Sequence, residues 1–147
     1  AVVPIYFVGW QAWLVGFLIV HITMGLSMSV IFQLAHVVEK TSFFSTDNEK
    51  SLPASAWAEH EIRTTTNFAQ NNQTISWLIG GLNFQVEHHL FPTISHVHYP
   101  AISKIVKKEC EKHSIPYHNY KTIWQAIASH VRLMKGLGNR SFQPIAG

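Results

Sequence analysis

The sequence predicts an all-α chain in which an integral membrane helix is followed by a helical region that faces water. Three observations carry that prediction. The first 38 residues contain no Asp, Glu, Lys or Arg, and every such residue lies from Glu39 onward. Within the charge-free part, Ala12 to about Ala35 is long enough to cross a hydrocarbon core, which takes roughly 20 apolar residues. Beyond it, apolar residues recur at helical spacing between turn and stop signals. At 147 residues the chain is one domain's worth of sequence. A net charge of +3, with no basic run interleaved with aromatics, argues against nucleic-acid binding. Cys110 is the only cysteine, which excludes an internal disulfide and is compatible with a reducing cytosolic side.

Taken in order, residues 1–9 are apolar but too short to span, and read as the end of a preceding membrane helix. No initiator Met and no basic stretch precede them, so no signal peptide is expected, and the chain reads as cut from something longer. Trp10, Gln11 and Trp13 sit where an aromatic interface belt belongs. The segment Ala12–Ala35 then reads as the span, the alternative being a buried helix of a soluble protein. His21, Ser27 and Ser29 interrupt it mildly. An intramembrane histidine is a functional candidate by default, but His21 lies several turns from the helix end and is left out of the site. All Lys and Arg follow the span and Lys40 is close to it, so the positive-inside rule puts residues 37–147 in the cytoplasm. The resulting division is 1–36 in membrane helices, 37–137 in a cytosolic helical region, and a frayed tail over 138–147.

Residues 41–54 are polar, with Asp47, Asn48 and Pro53, and read as a loop or lid-like excursion. Asn71 and Asn72 mark a turn, and Thr74 to Leu90 reads as one helix. Its apolar run, Ile75 to Phe84, is too short to span and fits a re-entrant or interfacial helix. This helix carries the densest chemistry in the chain. Gln85, His88 and His89 stand at i, i+3 and i+4, which points all three toward one helix face while Glu87 points away. Neutral imidazoles ligate iron, zinc and copper, and a Gln carbonyl oxygen binds metal or holds a metal-bound water. Ordinary helix histidines, satisfied by backbone and solvent, meet the same spacing. The Gly80-Gly81 entry, the Leu90-Phe91-Pro92 stop and ten histidines in the chain shift the balance toward a metal.

The full string from Gly80 to Pro92, GGLNFQVEHHLFP, closely resembles the third histidine box of membrane fatty-acyl desaturases. It is most similar to the front-end subgroup, in which Gln stands in for the first His of HxxHH. The resemblance runs over nearly the whole chain but covers only the C-terminal part of such an enzyme, since the first two boxes, HxxxH and HxxHH, have no match before Gln85. It implies that the span is the last of a desaturase-type bundle and that a cytosolic helical cap carries the box. It also implies a di-iron centre: two iron ions held mostly by histidines from three boxes, completed by histidines outside this chain. Carried over position by position, His88 and His89 are catalytic metal ligands, His36 at the cytosolic end of the span is a further ligand, and Gln85 occupies the first ligand position of the box. The alternative for His36 is an interfacial histidine bonded to lipid headgroup or water, and the box downstream favours the ligand. The segment from Trp57 to Phe68 looks like the family's W-x-x-H-x-x-x-T-T-x-N-F stretch. There Glu59, His60 and Glu61 can orient ligands from behind, His60 being the candidate retained; the alternative is a solvated face with Arg63 paired locally.

After Pro92 a new element begins, with His96 and His98 on a strand or loop, a pair that can bind metal but is more often structural. Residues 100–113 form an amphipathic helix, with Ile102, Ile105, Val106 and Cys110 on one face and Lys104, Lys107, Lys108 and Lys112 on another. The lysines suit an anionic membrane surface, an acidic electron-transfer partner or plain solvation. Pro116 breaks this helix. Thr122 and Gln125 make a capping-box pattern for a last helix bearing Ile123, Trp124, Ile127, Val131 and Met134 and closed by Gly136. By resemblance, the whole enzyme uses dioxygen and an external electron donor, a haem-b-type cytochrome or a ferredoxin, to insert a double bond into a fatty-acyl lipid or acyl-CoA. Front-end type means that the new bond lies between an existing one and the carboxyl end. The fragment alone is expected to be inactive. Lipid hydroxylases and sphingolipid desaturases share the box architecture, and a membrane zinc-binding protein using His36, His88 and His89 is an alternative of another class.

Overall fold

The structure, a computed structural model, describes residues 2–42 and 54–139. The chain divides into two compact units, Ala1–Val30 and Ile31–Gly147. Helix α1 (Val2–Val8) precedes α2 (Trp10–His36), whose 27 residues begin just ahead of the predicted span. At 1.5 Å per residue α2 is about 40 Å long, enough to cross a bilayer core. None of its most apolar stretch is buried, which sets it apart from the core helix of a soluble protein. His21 is occupied within its own helix, its Nδ1 lying 2.8 Å from the Phe17 carbonyl oxygen.

The second unit is helical as expected, apart from one small sheet. It holds α3 (Ala54–Thr64), β1 (Asn67–Phe68), α4 (Gln73–Leu78), α5 (Gln85–Leu90), a 3-10 turn (His96–His98), α6 (Tyr99–Lys112), β2 (Asn119–Tyr120) and α7 (Ile123–Gly138). Strands β1 and β2 pair in parallel, Asn67 with Asn119 and Phe68 with Tyr120, so an all-α prediction misses a two-residue ladder. The end of α2 is tied off by backbone and hydroxyl donors, as carbonyls at a helix C-terminus require. Thr41 Oγ1 donates to the carbonyls of His36 (3.0 Å) and Val38 (2.8 Å), and Thr66 N donates to that of Ala35 (2.9 Å). Thr41 and Ser42 are buried; the rest of the predicted loop, from 43 to 53, lies outside the described residues.

The single helix expected over Thr74–Leu90 is two. Asn72 caps α4 by accepting from Ile75 N, and the chain leaves that helix at Ile79. It turns through Gly80 (φ 60°) and Gly81 (φ 77°) and restarts at Gln85. Glycine takes this left-handed pair without the Cβ clash that other residues suffer. Gly81 has a second reason: a Cβ there would lie 2.7 Å from His96 Cβ. The apolar run is therefore not one continuous helix. Ile75 and Ile79 pack on a core of Leu34, Val38, Phe68, Ala69, Tyr120 and Ala126, while Phe84 is buried at the start of α5.

A second core joins Ile62, Val86, Val106 and Cys110, with Ile102 packed against it. Ile105, predicted for this face, is 65% exposed and stands outward with the lysines. Helix α6 stops at Lys112, and the chain turns at Ser114 (φ 56°) before Pro116 is reached. Thr122 caps α7 by accepting from Gln125 N, and Gln125 Oε1 accepts in turn from Lys121 N, one residue ahead of the cap. The inward face of α7 is Ala126, Ser129 and Leu133, while Trp124, Val131 and Met134 are exposed. The helix passes Gly136 and ends at Gly138, and the rest of the predicted tail, from 140, lies outside the described residues. Helix α7 also grips the chain just after α2. Glu39 N donates to Ser129 Oγ (3.1 Å), His130 Nδ1 lies 2.7 Å from the Val37 carbonyl, and Arg132 forks onto the Glu39 carboxylate.

The helix break makes a stability prediction. Gly81→Ala should cost about 2–4 kcal/mol, combining a positive φ with overpacking against His96. Gly80→Ala meets no atom within 4 Å and should cost only about 1–2 kcal/mol from its backbone conformation. Thermal unfolding of the two variants measures the difference, and equal melting temperatures would contradict the close approach.

Candidate metal centre

The site is built from the last residue of α2 and the outward face of α5. His36 is fixed because its carbonyl accepts from Thr41. The geometry of α5 is that read from the spacing: Gln85, His88 and His89 leave one side, and Glu87 leaves the other into the interior, fully buried. The Gln85 amide nitrogen lies 3.4 Å from His36 Nε2 and 3.5 Å from His89 Nε2, long for hydrogen bonds. The His36 and His89 rings meet edge to face, with centroids 5.0 Å apart. Three of the four candidate ligands thus surround one point.

His88 does not join them. Its ring is nearly perpendicular to that of His89, at 86° with centroids 5.9 Å apart, and its Nδ1 lies 3.3 Å from the Tyr99 hydroxyl. Burial, and then the neighbouring His89 imidazole, lowers the His88 pKa below the usual histidine value. That favours the neutral ring, the form that binds metal.

Among the residues expected to support ligands, the structure selects Glu61. Its Oε2 lies 2.8 Å from His89 Nδ1. A carboxylate accepting from Nδ1–H leaves the Nε2 lone pair of that ring free, a pairing that recurs behind metal-ligating histidines. Glu59 instead pairs with Arg63 at 2.8 Å, which is the local pairing on a solvated face. His60, the candidate retained from the sequence, is half-buried on α3, and its carbonyl accepts from Thr64 Oγ1 at 2.9 Å. His96 and His98 are exposed on the 3-10 turn rather than on a strand or loop.

Behind α5 lies a network that the sequence reading missed. Glu87 accepts from Tyr117 OH (2.7 Å) at one oxygen and from Asn67 Nδ2 (2.9 Å) at the other. Asn67 Oδ1 accepts from Val86 N (2.9 Å), and Gln70 Nε2 donates to the Tyr117 oxygen (3.0 Å). Desolvation pushes the Glu87 carboxyl above its ordinary value although both bonds oppose that. Burial, with the Glu87 charge adding to it, pushes the Tyr117 hydroxyl up and keeps it a donor. The available signal was Glu87 itself, a carboxylate on the side of a short apolar helix opposite its histidines.

Whether these residues suit a metal is tested by Gln85. Its carbonyl oxygen is buried without a hydrogen-bond partner, a costly state for a polar atom. A half-turn of the amide would exchange its oxygen and nitrogen ends, leaving an oxygen between two imidazole Nε2 atoms, a set that suits a transition metal. Among the described residues no group of three or more His, Cys, Asp or Glu is placed to hold a metal ion. The donor set fits one face of a metal site and becomes three-membered only with the Gln85 amide.

The comparisons agree on what the chain is similar to. The family model described as fatty acid desaturase matches residues 1–121. An sn-1 linoleoyl-lipid 6-desaturase of Synechocystis sp. is 44% identical over 128 residues, covering 87% of this chain and 36% of the relative. One of the same description from Arthrospira platensis is 41% identical, covering 82% of this chain and 32% of the relative. An acyl-lipid (8-3)-desaturase of Physcomitrium patens is 40% identical, covering 81% and 24%. The chain therefore spans little more than a third of these relatives at most. No solved structure gives a significant match.

The buried network should be measurable without any metal. Tyr117→Phe is expected to cost about 1–3 kcal/mol, because Glu87 and Gln70 each lose a buried partner. In a Glu87→Leu background the same change should cost clearly less, since the carboxylate it served is gone. A double-mutant cycle by chemical unfolding gives the coupling; a coupling of zero would remove Glu87 from the account.

Proposed function

We propose that this chain, which belongs to the fatty acid desaturase family, is the part of a front-end acyl-lipid desaturase that holds the third histidine box and one further iron ligand. The observation that carries the reading is the approach of Gln85 to His36, 49 residues away in sequence, and to His89 on its own helix. The resemblance assigns all three to iron. His88, facing Tyr99 instead, is assigned to the second iron. A single zinc site would gather His36, His88 and His89 round one point, so the divergence of His88 weighs against the zinc-binding alternative. The desaturase names of the relatives weigh against the hydroxylase alternative.

A bound di-iron centre supplies, with dioxygen and external electrons, the oxidising power to remove two hydrogens from an unactivated acyl chain. The chain's own residues supply placement. His36, Gln85 and His89 present donors from two helices whose ends are fixed by Thr41 and by the Asn67–Glu87 network. Glu61 holds His89 at Nδ1, which fixes the ring orientation and leaves Nε2 to act as the donor. Helix α2 anchors the region in the bilayer, and the second unit is assigned to the cytoplasmic side, where a haem-b-type cytochrome or ferredoxin delivers electrons. The substrate is an acyl chain carried on a lipid, as in the relatives' names, rather than on coenzyme A.

Two outcomes test this. In an enzyme completed by an upstream segment with HxxxH and HxxHH, Gln85→His should retain substantial activity. Gln85→Leu should lose it by about 10–100-fold, because Leu offers no donor. Product analysis decides, and an active Leu variant would remove Gln85 from the centre.

The 147-residue chain alone should neither desaturate nor keep two irons against a chelator, since affinity depends on a complete set of donors arranged by folding. Adding the upstream histidine segment should restore iron and product together. Two irons retained by the isolated chain through chelation would overturn the assignment.

A further inference from the structure

We propose that a cavity between the β1–α4 connection and α6 receives the phosphate-bearing polar end of the lipid whose acyl chain is oxidised, an inference that rests on the desaturase reading and specifies its substrate. The cavity has a volume of about 530 Å³ and is lined in part by Gln70, Phe84, Ser103, Lys104, Lys107 and Tyr117. That size is ordinary for a small-molecule site, which runs to roughly 300–1,000 Å³. Its chemistry is one-sided. Lys104 and Lys107 stand one turn apart on α6, and among the described residues no carboxylate lines the space. Two ammonium groups beside hydroxyl and amide side chains suit a phosphate ester with its attached glycerol. Phe84 and Tyr117 give the apolar surface on which the glycerol and first acyl carbons can rest.

The cavity also shares two walls with the candidate centre. Phe84 directly precedes Gln85 and starts α5, and the Tyr117 hydroxyl donates to Glu87. A ligand lodged there bears on the residues that orient the histidines. The other two lysines of the helix serve as an internal control. Lys108 and Lys112 do not line the cavity, and Lys112 lies 3.4 Å from Glu109. A general attraction of α6 to anionic surfaces would draw on all four lysines alike; a site draws on two.

The experiment is calorimetric titration of the purified full chain in uncharged detergent. The probes are dihexanoylphosphatidylglycerol, uncharged dihexanoylglycerol, glycerol 3-phosphate and inorganic phosphate. The phosphatidylglycerol should bind more tightly than each of the others, since it alone joins the anion to the apolar part. Lys104→Gln with Lys107→Gln should weaken it about tenfold, and Lys108→Gln with Lys112→Gln by less than about twofold. Ser103→Trp, which fills the cavity at constant charge, should weaken binding as well, with thermal unfolding confirming that each variant is folded. Equal losses from the two lysine pairs, unchanged affinity in Ser103→Trp, or inorganic phosphate binding as tightly as the lipid would each overturn the proposal. Product formation by the iron-loaded enzyme with its upstream boxes reads the catalytic assignment separately. Desaturation without lipid binding at the cavity defeats this inference alone, and lipid binding without desaturation defeats the functional reading alone.

Discussion

The side chain of Asn67 ties together three segments of the chain. Its oxygen accepts from Val86 N on α5, its amide donates to the Glu87 carboxylate and meets the Tyr117 hydroxyl at 2.6 Å, and its own backbone nitrogen donates to the His118 carbonyl. Asn67, Val86 and Glu87 are at zero exposure, where an unmade bond is expensive and a made one fixes geometry. Helix α5 has only six residues, far below the length at which a helix holds itself together in water. Its orientation is therefore imposed from outside. Once Glu87 is anchored inward, the pitch of the helix places Gln85, His88 and His89 on its other side, so the buried carboxylate sets the side from which the imidazoles project.

Carboxylates one turn apart in character, though neighbours on α3, show how burial divides labour. Glu59 lies beside Arg63 in solvent, where an i,i+4 pair contributes a few tenths of a kcal/mol, about 0.3–0.5. Glu61 lies against His89 and determines which ring nitrogen carries the proton. The same logic separates the two box histidines. His89 is backed by a carboxylate and His88 by the Tyr99 hydroxyl, a neutral partner. Adjacent residues thus present rings with different partners in different directions.

Much of this was legible in the residues, and what was not has physical causes. The long apolar helix and the i, i+3, i+4 geometry of Gln85, His88 and His89 follow from composition and pitch alone. The approach of His36 to Gln85 and His89 came from resemblance, because no local rule brings residues 49 apart together. The break at Gly80 and Gly81 was misread: hydrophobic periodicity runs smoothly from Ile75 to Phe84, and two glycines with positive φ override it. On α7 the sequence marks the helix but not its buried face, which is Ala126, Ser129 and Leu133, with the Tyr120 hydroxyl meeting Ser129 Oγ at 2.6 Å. The Asn67–Glu87–Tyr117 network was invisible because it is non-local and polar, and neither property leaves a period in the sequence.

The order in which these parts leave the ribosome has a consequence of its own. Tyr117 follows Glu87 by 30 residues, and the β2 strand that completes the ladder comes later still. At about 5–20 residues per second, the box histidines are synthesised roughly 1.5–6 s before the side chain that helps lock their helix. During that interval α5 has Asn67 but neither Tyr117 nor the β2 strand, so the network around Glu87 is incomplete. It is therefore the last third of the chain, which contains none of the candidate ligands His36, Gln85, His88 and His89, that determines when the network behind them can close.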